Sequence, residues 1–295
     1  MTRRKQLFSS AQKKSGFAVL VGRSNVGKST LLNYLVGSKI AITTPKPQTT
    51  RKPVQGILTT DQGQVVFIDT PGIFKDSKDA LSKLLLKFVK NALKDVDVVI
   101  YVVDPTRAIG SEEKYALSLL NKIEQPKILV INKSDLRNPP YLESMRALSD
   151  QFNQTIELSA LTGRNVNLLK EAIFSYLPEG EAYYPEGQIT NMPNDEWLGE
   201  LIREKLFLRL RQEVPYSVHV EVDEVTRRDN GVIYIAARIL TSSDRYQRII
   251  IGTRGHGIKE IGQSVRRELQ TVMGAPVYLD LNVEVDPRWV GRLEG

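Results

Sequence analysis

Gly22-Arg23-Ser24-Asn25-Val26-Gly27-Lys28-Ser29 constrains the fold of this 295-residue chain more than any other stretch. It follows the pattern G-x-x-x-x-G-K-S/T. Phe17-Ala-Val-Leu-Val21 before it reads as a short buried strand. Ser29-Thr30-Leu-Leu-Asn-Tyr-Leu-Val36 after it reads as the first turns of a helix. A strand, a glycine loop and a helix start in that order make a nest of backbone N–H groups. The nest lies at the positive end of a helix dipole and suits a polyphosphate. Gly22 through Thr30 form the expected cradle. Lys28 is expected to reach the β/γ-phosphates, and the Ser29 hydroxyl to ligate Mg²⁺.

Two further segments bear on the phosphates. Ala41 to Arg51 is polar, contains Pro45 and Pro47, and reads as a loop. A loop threonine there can add a second hydroxyl to Mg²⁺ and sense a γ-phosphate, as switch segments do. Thr50 is favoured because Arg-Lys-Pro-Val-Gln-Gly-Ile-Leu leads from it into a strand; Thr49 is a close rival, and an ordinary polar loop is the plain alternative. Gln64 to Gly72 is a strand ending in Asp69-Thr70-Pro71-Gly72. A carboxylate at that tip can hold a water on Mg²⁺, and the Gly72 N–H can bond the γ-phosphate because no Cβ blocks the approach. Ile73 follows where Ras-like enzymes carry the glutamine that orients the attacking water. Slow intrinsic hydrolysis, or another way of positioning water, is therefore expected.

The base reads as guanine. Lys127 to Ile131 is a buried strand running into Asn132-Lys133-Ser134-Asp135. The Asp135 carboxylate can accept from guanine N1–H and the exocyclic amine together. Adenine offers neither donor, and sites built on such bonds discriminate by roughly 10⁴-fold. Asn132 is expected to bond N7 and tie this loop to the phosphate loop. Thr155 to Ser159 gives a last strand ending in Ser159-Ala160-Leu161, with the Ala160 N–H facing guanine O6. The four motifs fall in order at strand carboxyl ends, where open α/β sheets bind ligands. Asn-Lys-x-Asp disfavours a P-loop kinase, and a single phosphate loop excludes a duplicated-domain GTPase.

Length allows two domains. The chain has no cysteine, which removes disulfides and thiolate metal sites and suits a reducing compartment. No run of about 18 apolar residues appears, and the basic start, Met1-Thr-Arg-Arg-Lys-Gln, leads into no apolar signal core. The net charge of +7 is uneven. Residues 1–180 carry 26 basic and 16 acidic side chains, and residues 181–295 carry 15 and 18. Within the second part, Arg238, Arg245, Arg248, Arg254, Lys259, Arg266 and Arg267 stand against Asp244 and Glu260. Nucleic-acid binding there would need that local patch.

The expected domains are a basic extension over 1–14, an α/β unit over 15–178, a linker over 179–194 and an α+β unit over 195–295. The first has a mostly parallel sheet with helices on both faces. Strands read at 17–21, 53–59, 64–69, 97–103, 127–132 and 155–159. Helices read at 79–93 and 166–177. Leu177-Pro178 to Gly187 is acidic and turn-rich, which makes domain reorientation plausible. In the second unit, Asp195 to about Glu213 is an amphipathic helix. Val218, Val220 and Val222 alternate on a strand, which leaves His219 facing solvent. Asp229-Asn230-Gly231 is a hairpin signal, and Val232 to Leu240 is the return strand. Gly252-Thr253-Arg254-Gly255 then leads into a helix ending near Met273, and Val277 to Val285 closes the unit. Two glycines at that spacing match the loop of a KH domain, which clamps about four nucleotides. Thr253, Arg254 and Lys259 would face phosphates. A small α+β dimerisation domain is the plain alternative. His256 reads as a turn residue, Trp197 as a helix anchor, and Trp289 is undecided.

These motifs together resemble the Era family within the TrmE–Era group of GTPases, from about residue 15 to 289. The matching segments are Gly-Arg-Ser-Asn-Val-Gly-Lys-Ser, Gln-Thr-Thr-Arg, Asp-Thr-Pro-Gly, Asn-Lys-Ser-Asp, Ser-Ala-Leu and Ile-Ile-Gly-Thr-Arg-Gly. The family also carries an apolar residue where Ile73 stands. The resemblance implies a P-loop GTPase domain followed by a type II KH domain, with GTP or GDP and Mg²⁺ as ligands. It implies a monomer that binds the 3′ end of small-subunit ribosomal RNA during small-subunit assembly, with GTP favouring the RNA-competent form. It implies a cytoplasmic protein in partial contact with the inner membrane face, and K⁺ near Asn25. Two rival readings remain open: an RNA chaperone in which hydrolysis is incidental, and a membrane or cell-cycle GTPase whose second domain binds protein.

Overall fold

Alternating buried strands and amphipathic helices build the first domain. The structure, a computed structural model, describes residues 13–74 and 80–294. Residues 1–12 of the basic extension lie outside the described residues, as does 79, where the 79–93 helix was expected to start. The elements are β1 (Lys14–Val21), α1 (Lys28–Val36), β2 (Val54–Thr60), β3 (Gly63–Asp69), α2 (Ala80–Ala92), β4 (Val98–Val103), α3 (Ser111–Leu120), β5 (Lys127–Ile131), α4 (Leu142–Arg146), β6 (Gln154–Glu157) and α5 (Val166–Tyr176). The sheet order is β2-β3-β1-β4-β5-β6, with β2 antiparallel to β3 and the other pairs parallel. β4 is buried at every position, as a central parallel strand covered on both faces must be. Successive β1 side chains feed opposite layers. Ala18 and Leu20 join α1 and α5 residues such as Leu32 and Ile173, whereas Val19 and Val21 join Val89, Ala116 and Met145.

The second domain comprises α6 (Asn194–Arg209), β7 (Val218–Arg227), β8 (Ile233–Thr241), α7 (Asp244–Ile251), α8 (His256–Met273), β9 (Val277–Val285) and a terminal 3₁₀ segment, Trp289–Glu294. β7 and β8 form an antiparallel hairpin, and β9 lies parallel to β8. Leu201 and Ile202 of α6 and Ile261 and Val265 of α8 pack on Val218, Ile235 and Ile239 of the sheet. One helix of this domain was not expected from sequence. Arg248-Ile-Ile-Ile is rich in β-branched residues, which favour strands, yet it forms the end of α7. Ser243 caps that helix by accepting from the Tyr246 N–H, and Ile250 fixes it to the core.

The stretch between the domains is not a free tether. Ser15 N–H donates to Pro178 O, and Gly180 N–H to Lys13 O. The Tyr184 backbone exchanges two bonds with the Gln64 amide at 2.9 Å. Ile57 N–H donates to Ile189 O, and Thr190 bridges to Gly56. The outer edge of β2 is thereby paired.

The seam between the domains is polar and buried. Arg51 is 2% exposed and donates to Pro215 O (3.3 Å), Tyr216 O (3.0 Å) and Val218 O. Its guanidinium lies 4.8 Å from the Trp289 ring centre. From the other side, Arg203 of α6 donates to Thr49 O at 2.5 Å and pairs with Glu200. Thr43 N–H donates to Glu204 at 3.0 Å, and Lys39 pairs with Glu204 and Glu268. His219, expected on the solvent face, stacks on Trp289 instead, with ring centres 5.9 Å apart. Burial, with Arg51 and Arg203 nearby, pushes its pKa down to about 4. Trp197 donates to Lys39 O, so it anchors its helix to the first domain.

Candidate nucleotide and RNA sites

The loops after β1, β3, β5 and β6 meet at one end of the sheet. A cleft of about 910 Å³ runs there from Ser24, Asn25 and Thr30 to Asn132, Asp135 and Leu161. That volume suits a nucleotide-sized ligand. At one end it borders a pocket lined by Lys28, Ser29, Thr50 and Gly72.

Glycine is required where neighbouring loops crowd. Gly27 starts α1 at φ +101°, and a Cβ there would lie 2.2 Å from Asn132 Nδ2. A Cβ on Gly72 would meet Ser24 Oγ at 2.3 Å. Ile73 N–H donates to Gly22 O, which ties the segment after β3 to the phosphate loop. Lys28 is buried, and its ammonium donates to Gly22 O and Arg23 O. Burial lowers its pKa to about 8.

Three oxygens converge beside Lys28. Ser29 Oγ lies 2.5 Å from Asp69 Oδ2 and 3.0 Å from Thr50 Oγ1, and Thr50 Oγ1 lies 3.4 Å from the same carboxylate oxygen. Asp69 Oδ1 is buried without a hydrogen-bond partner. Burial raises the Asp69 pKa, opposed by Lys28, Ser29 and Thr50. Two hydroxyls and a carboxylate with a spare buried oxygen fit a hard divalent cation such as Mg²⁺. Thr49 turns its hydroxyl to Thr44 and Lys46 O, away from this cluster.

Asn132 bridges two loops. Its Nδ2 donates to Val26 O at 2.8 Å, and its Oδ1 accepts from Ala160 N–H at 2.9 Å. The Ala160 N–H, expected to face a base, is thus engaged by Asn132 in this structure. Asp135 is exposed at the cleft rim and accepts from Ser159 Oγ at 2.5 Å. Lys133 pairs with Asp104. Burial works to raise the Asp104 pKa, and bonds from Lys133 and Thr106 outweigh it and hold it low.

Several other expected site residues turn their side chains to partners within the protein. Val26 and Ile73 are core residues, Thr70 Oγ1 donates to Leu20 O, Pro71 is buried, and Ser134 Oγ is buried. Arg23 pairs with Glu112 and Glu113. Asn25, at φ +65°, donates to Pro45 O. Arg107, which sequence reasoning missed, donates to Ser24 O at 3.0 Å. No local pattern marked it.

In the second domain Gly252 (φ +71°) and Gly255 (φ +76°) bracket exposed Thr253 and Arg254 between α7 and α8. Lys259 is exposed in the following turn. Gly257 was missed by sequence reasoning. A Cβ there would lie 2.5 Å from Ile250 O, so the crossing of the two helices needs it. Arg245, Arg248, Arg266 and Arg267 are exposed on α7 and α8. Arg238 does not join their patch, because Glu221, Asp223 and Glu284 engage it.

Comparison with known proteins agrees with this geometry. Residues 17–133 match the 50S ribosome-binding GTPase family, and residues 213–290 match the KH domain. The GTPase Era of Thermoanaerobacter sp. (strain X514) is 44% identical over 280 residues, covering 94% of this chain and 92% of the relative. The chain belongs to the Era family of GTPases. The Era of Caldanaerobacter subterraneus subsp. tengcongensis is 43% identical, with 94% of each chain covered. A crystal structure of Era with MgGDPNP and nucleotides 1506–1542 of 16S ribosomal RNA is similar at a TM-score of 0.89 and 36% identity, covering 96% and 97% of the two chains. An Aquifex aeolicus Era variant bound to GDP·AlF₄⁻ is similar at 0.88 and 36% identity, covering 95% and 97%.

Proposed function

We propose that this Era-family chain is a GTP-hydrolysing switch that binds the 3′ end of small-subunit ribosomal RNA and acts in small-subunit assembly. The observation that carries the proposal is that the phosphate cleft and the KH loop occur in one chain. That chain matches an RNA- and nucleotide-bound Era over 96% of its length. Mg²⁺ would be held by Ser29 and Thr50, with Asp69 behind a water, and would neutralise charge on the β/γ-phosphates. Lys28 would leave the Gly22 and Arg23 carbonyls for phosphate oxygens. Asp135 would accept from the guanine edge, while Asn132 keeps the base loop fixed to the phosphate loop. Gly252 to Gly255 would admit a sugar-phosphate backbone, with Arg254 and Lys259 beside it. Asn25, whose amide nitrogen donates to Pro45 O, is a candidate K⁺ ligand through its amide oxygen.

A cytoplasmic location fits this role. Among the described residues no helix is long and apolar enough to cross a membrane. Peripheral contact with the inner membrane face belongs to the proposal only through the family likeness.

The test is binding of a labelled oligonucleotide matching that RNA end to protein holding a GTP analogue, GDP or nothing. Tighter binding with the analogue is expected. Equal binding in all three states would overturn the gate, and no binding in any state would overturn the RNA reading.

A further inference from the structure

Thr49, Thr50 and Arg51 are consecutive, yet they serve two domains. Thr50 points into the phosphate cleft, where its hydroxyl meets Ser29 and Asp69. The groups on either side of it are held by the second domain. Thr49 O accepts from Arg203 of α6, and the Arg51 guanidinium is sunk among the Pro215, Tyr216 and Val218 carbonyls. Consecutive Cα atoms are about 3.8 Å apart, so Thr50 cannot leave the cleft far without pulling on both anchors.

We infer that Arg51 is a positioning residue for Thr50, and that the second domain, acting through Arg51 and Arg203, favours the nucleotide state in which Thr50 is seated. This rests on the reading of the chain as a nucleotide-gated switch and supplies a route for the gate.

The anchors are built for a geometry that can open. Both guanidiniums lie against the Phe207 ring, with centres 5.7 and 5.2 Å away. Glu200 pairs with Arg203, whereas Arg51 is neutralised by no paired carboxylate among the described residues. Arg51 Nε and Arg203 Nη1 are buried without hydrogen-bond partners. Two buried cations over one ring repel each other and leave donors unpaired, so they hold the domains together less firmly than an apolar seam would. The planar fork of arginine is needed because it reaches several carbonyls at once, which a lysine ammonium cannot do in the same plane.

Linkage fixes the sign. If docking of Arg51 seats Thr50, the second domain raises affinity for a nucleotide that uses Thr50 and leaves other nucleotides alone. The same factor then runs from nucleotide to domain docking.

The experiment uses the full chain with Arg51→Ala, Arg51→Lys and Arg203→Met. Affinities for a non-hydrolysable GTP analogue and for GDP are measured with Mg²⁺ present, beside RNA-oligonucleotide affinity in each state. Arg51→Ala is expected to weaken the analogue about tenfold and GDP less than twofold. Arg51→Lys should fall between, and Arg203→Met should show the same split. Equal losses for both nucleotides, or no loss for either, would overturn the inference. If Arg51→Ala fails to fold, judged by circular dichroism, the other two variants decide. A wild type whose RNA affinity ignores nucleotide would overturn the gate itself. The split between analogue and GDP would still decide the role of Arg51.

Discussion

Replacing Ile73 with glutamine tests whether the position after Asp-x-x-Gly can act on the attacking water. In Ras-like enzymes a glutamine there orients that water. Here Ile73 is 1% exposed and belongs to the apolar layer of Val21, Val89 and Val99. Its backbone N–H is spent on Gly22 O at 3.0 Å. Losing the buried aliphatic side chain costs about 2 kcal/mol. Desolvating a side-chain amide in the same place adds about 1–3 kcal/mol. A loss of roughly 4 kcal/mol lowers the melting temperature by about 10 °C in a domain this size. Ile73→Val, which deletes one methyl, should cost only about 1 kcal/mol. Thermal unfolding reads the stability, and single-turnover GTP hydrolysis reads the chemistry. The expected result is a destabilised glutamine variant that hydrolyses no faster than wild type. A variant as stable as wild type and tenfold faster would refute the reasoning, because its side chain would then reach the nucleotide.

Two other consequences are as direct. Asp135→Asn removes an acceptor for two guanine donors at about 1.5–3 kcal/mol each, so GTP affinity should fall at least a hundredfold while xanthine nucleotides gain. Competition binding checks this, and retained GTP preference would sink the base assignment. His219 is held neutral in the fold, its pKa pushed from 6.5 to about 4 by burial and by Arg51, Arg203 and Lys52, against Glu200. The unfolded chain takes the proton first, so this contribution is intact above pH 6.5 and is lost as pH falls towards 4. At pH 5 the loss is about 2 kcal/mol. Urea unfolding between pH 7 and 5 should show that slope in wild type and a flatter one in His219→Gln.

The nucleotide cleft was legible because its parts are local. Each motif sits at a strand end, and the strands announce themselves as short apolar runs such as Val98–Val103. The seam between the domains was not legible. Arg51 is one basic residue in a polar loop, and its partners are backbone carbonyls more than 160 positions away, which leave no mark in a sequence. His219 failed for the same reason. Alternation correctly put it on the face opposite Val218 and Val220, but Trp289 covers that face. The α7 helix was hidden by Ile249, Ile250 and Ile251, whose strand preference yields to a serine cap and one buried anchor. Asn132 was foreseen as the tie to the phosphate loop. Its hold on Ala160 depends on where the last strand ends.

The pairing along β2 also decides where the molecule can be cut. A fragment ending at Pro178, the limit suggested by composition, would strip Ile189 and Thr190 from Gly56 and Ile57 and bare a strand of a six-stranded sheet. Bare edges recruit other chains, so such a fragment is expected to self-associate. It would also uncover Leu81, Leu84 and Leu85 of α2, which pack with Leu240, Trp289 and Leu293. A fragment extended to Met192 keeps the edge closed and is the better vehicle for studying nucleotide chemistry in isolation. Even that fragment leaves the α2 leucines uncovered, loses Arg203 and strips Arg51 of its carbonyl partners, and with them goes the influence of the RNA-binding half on its partner.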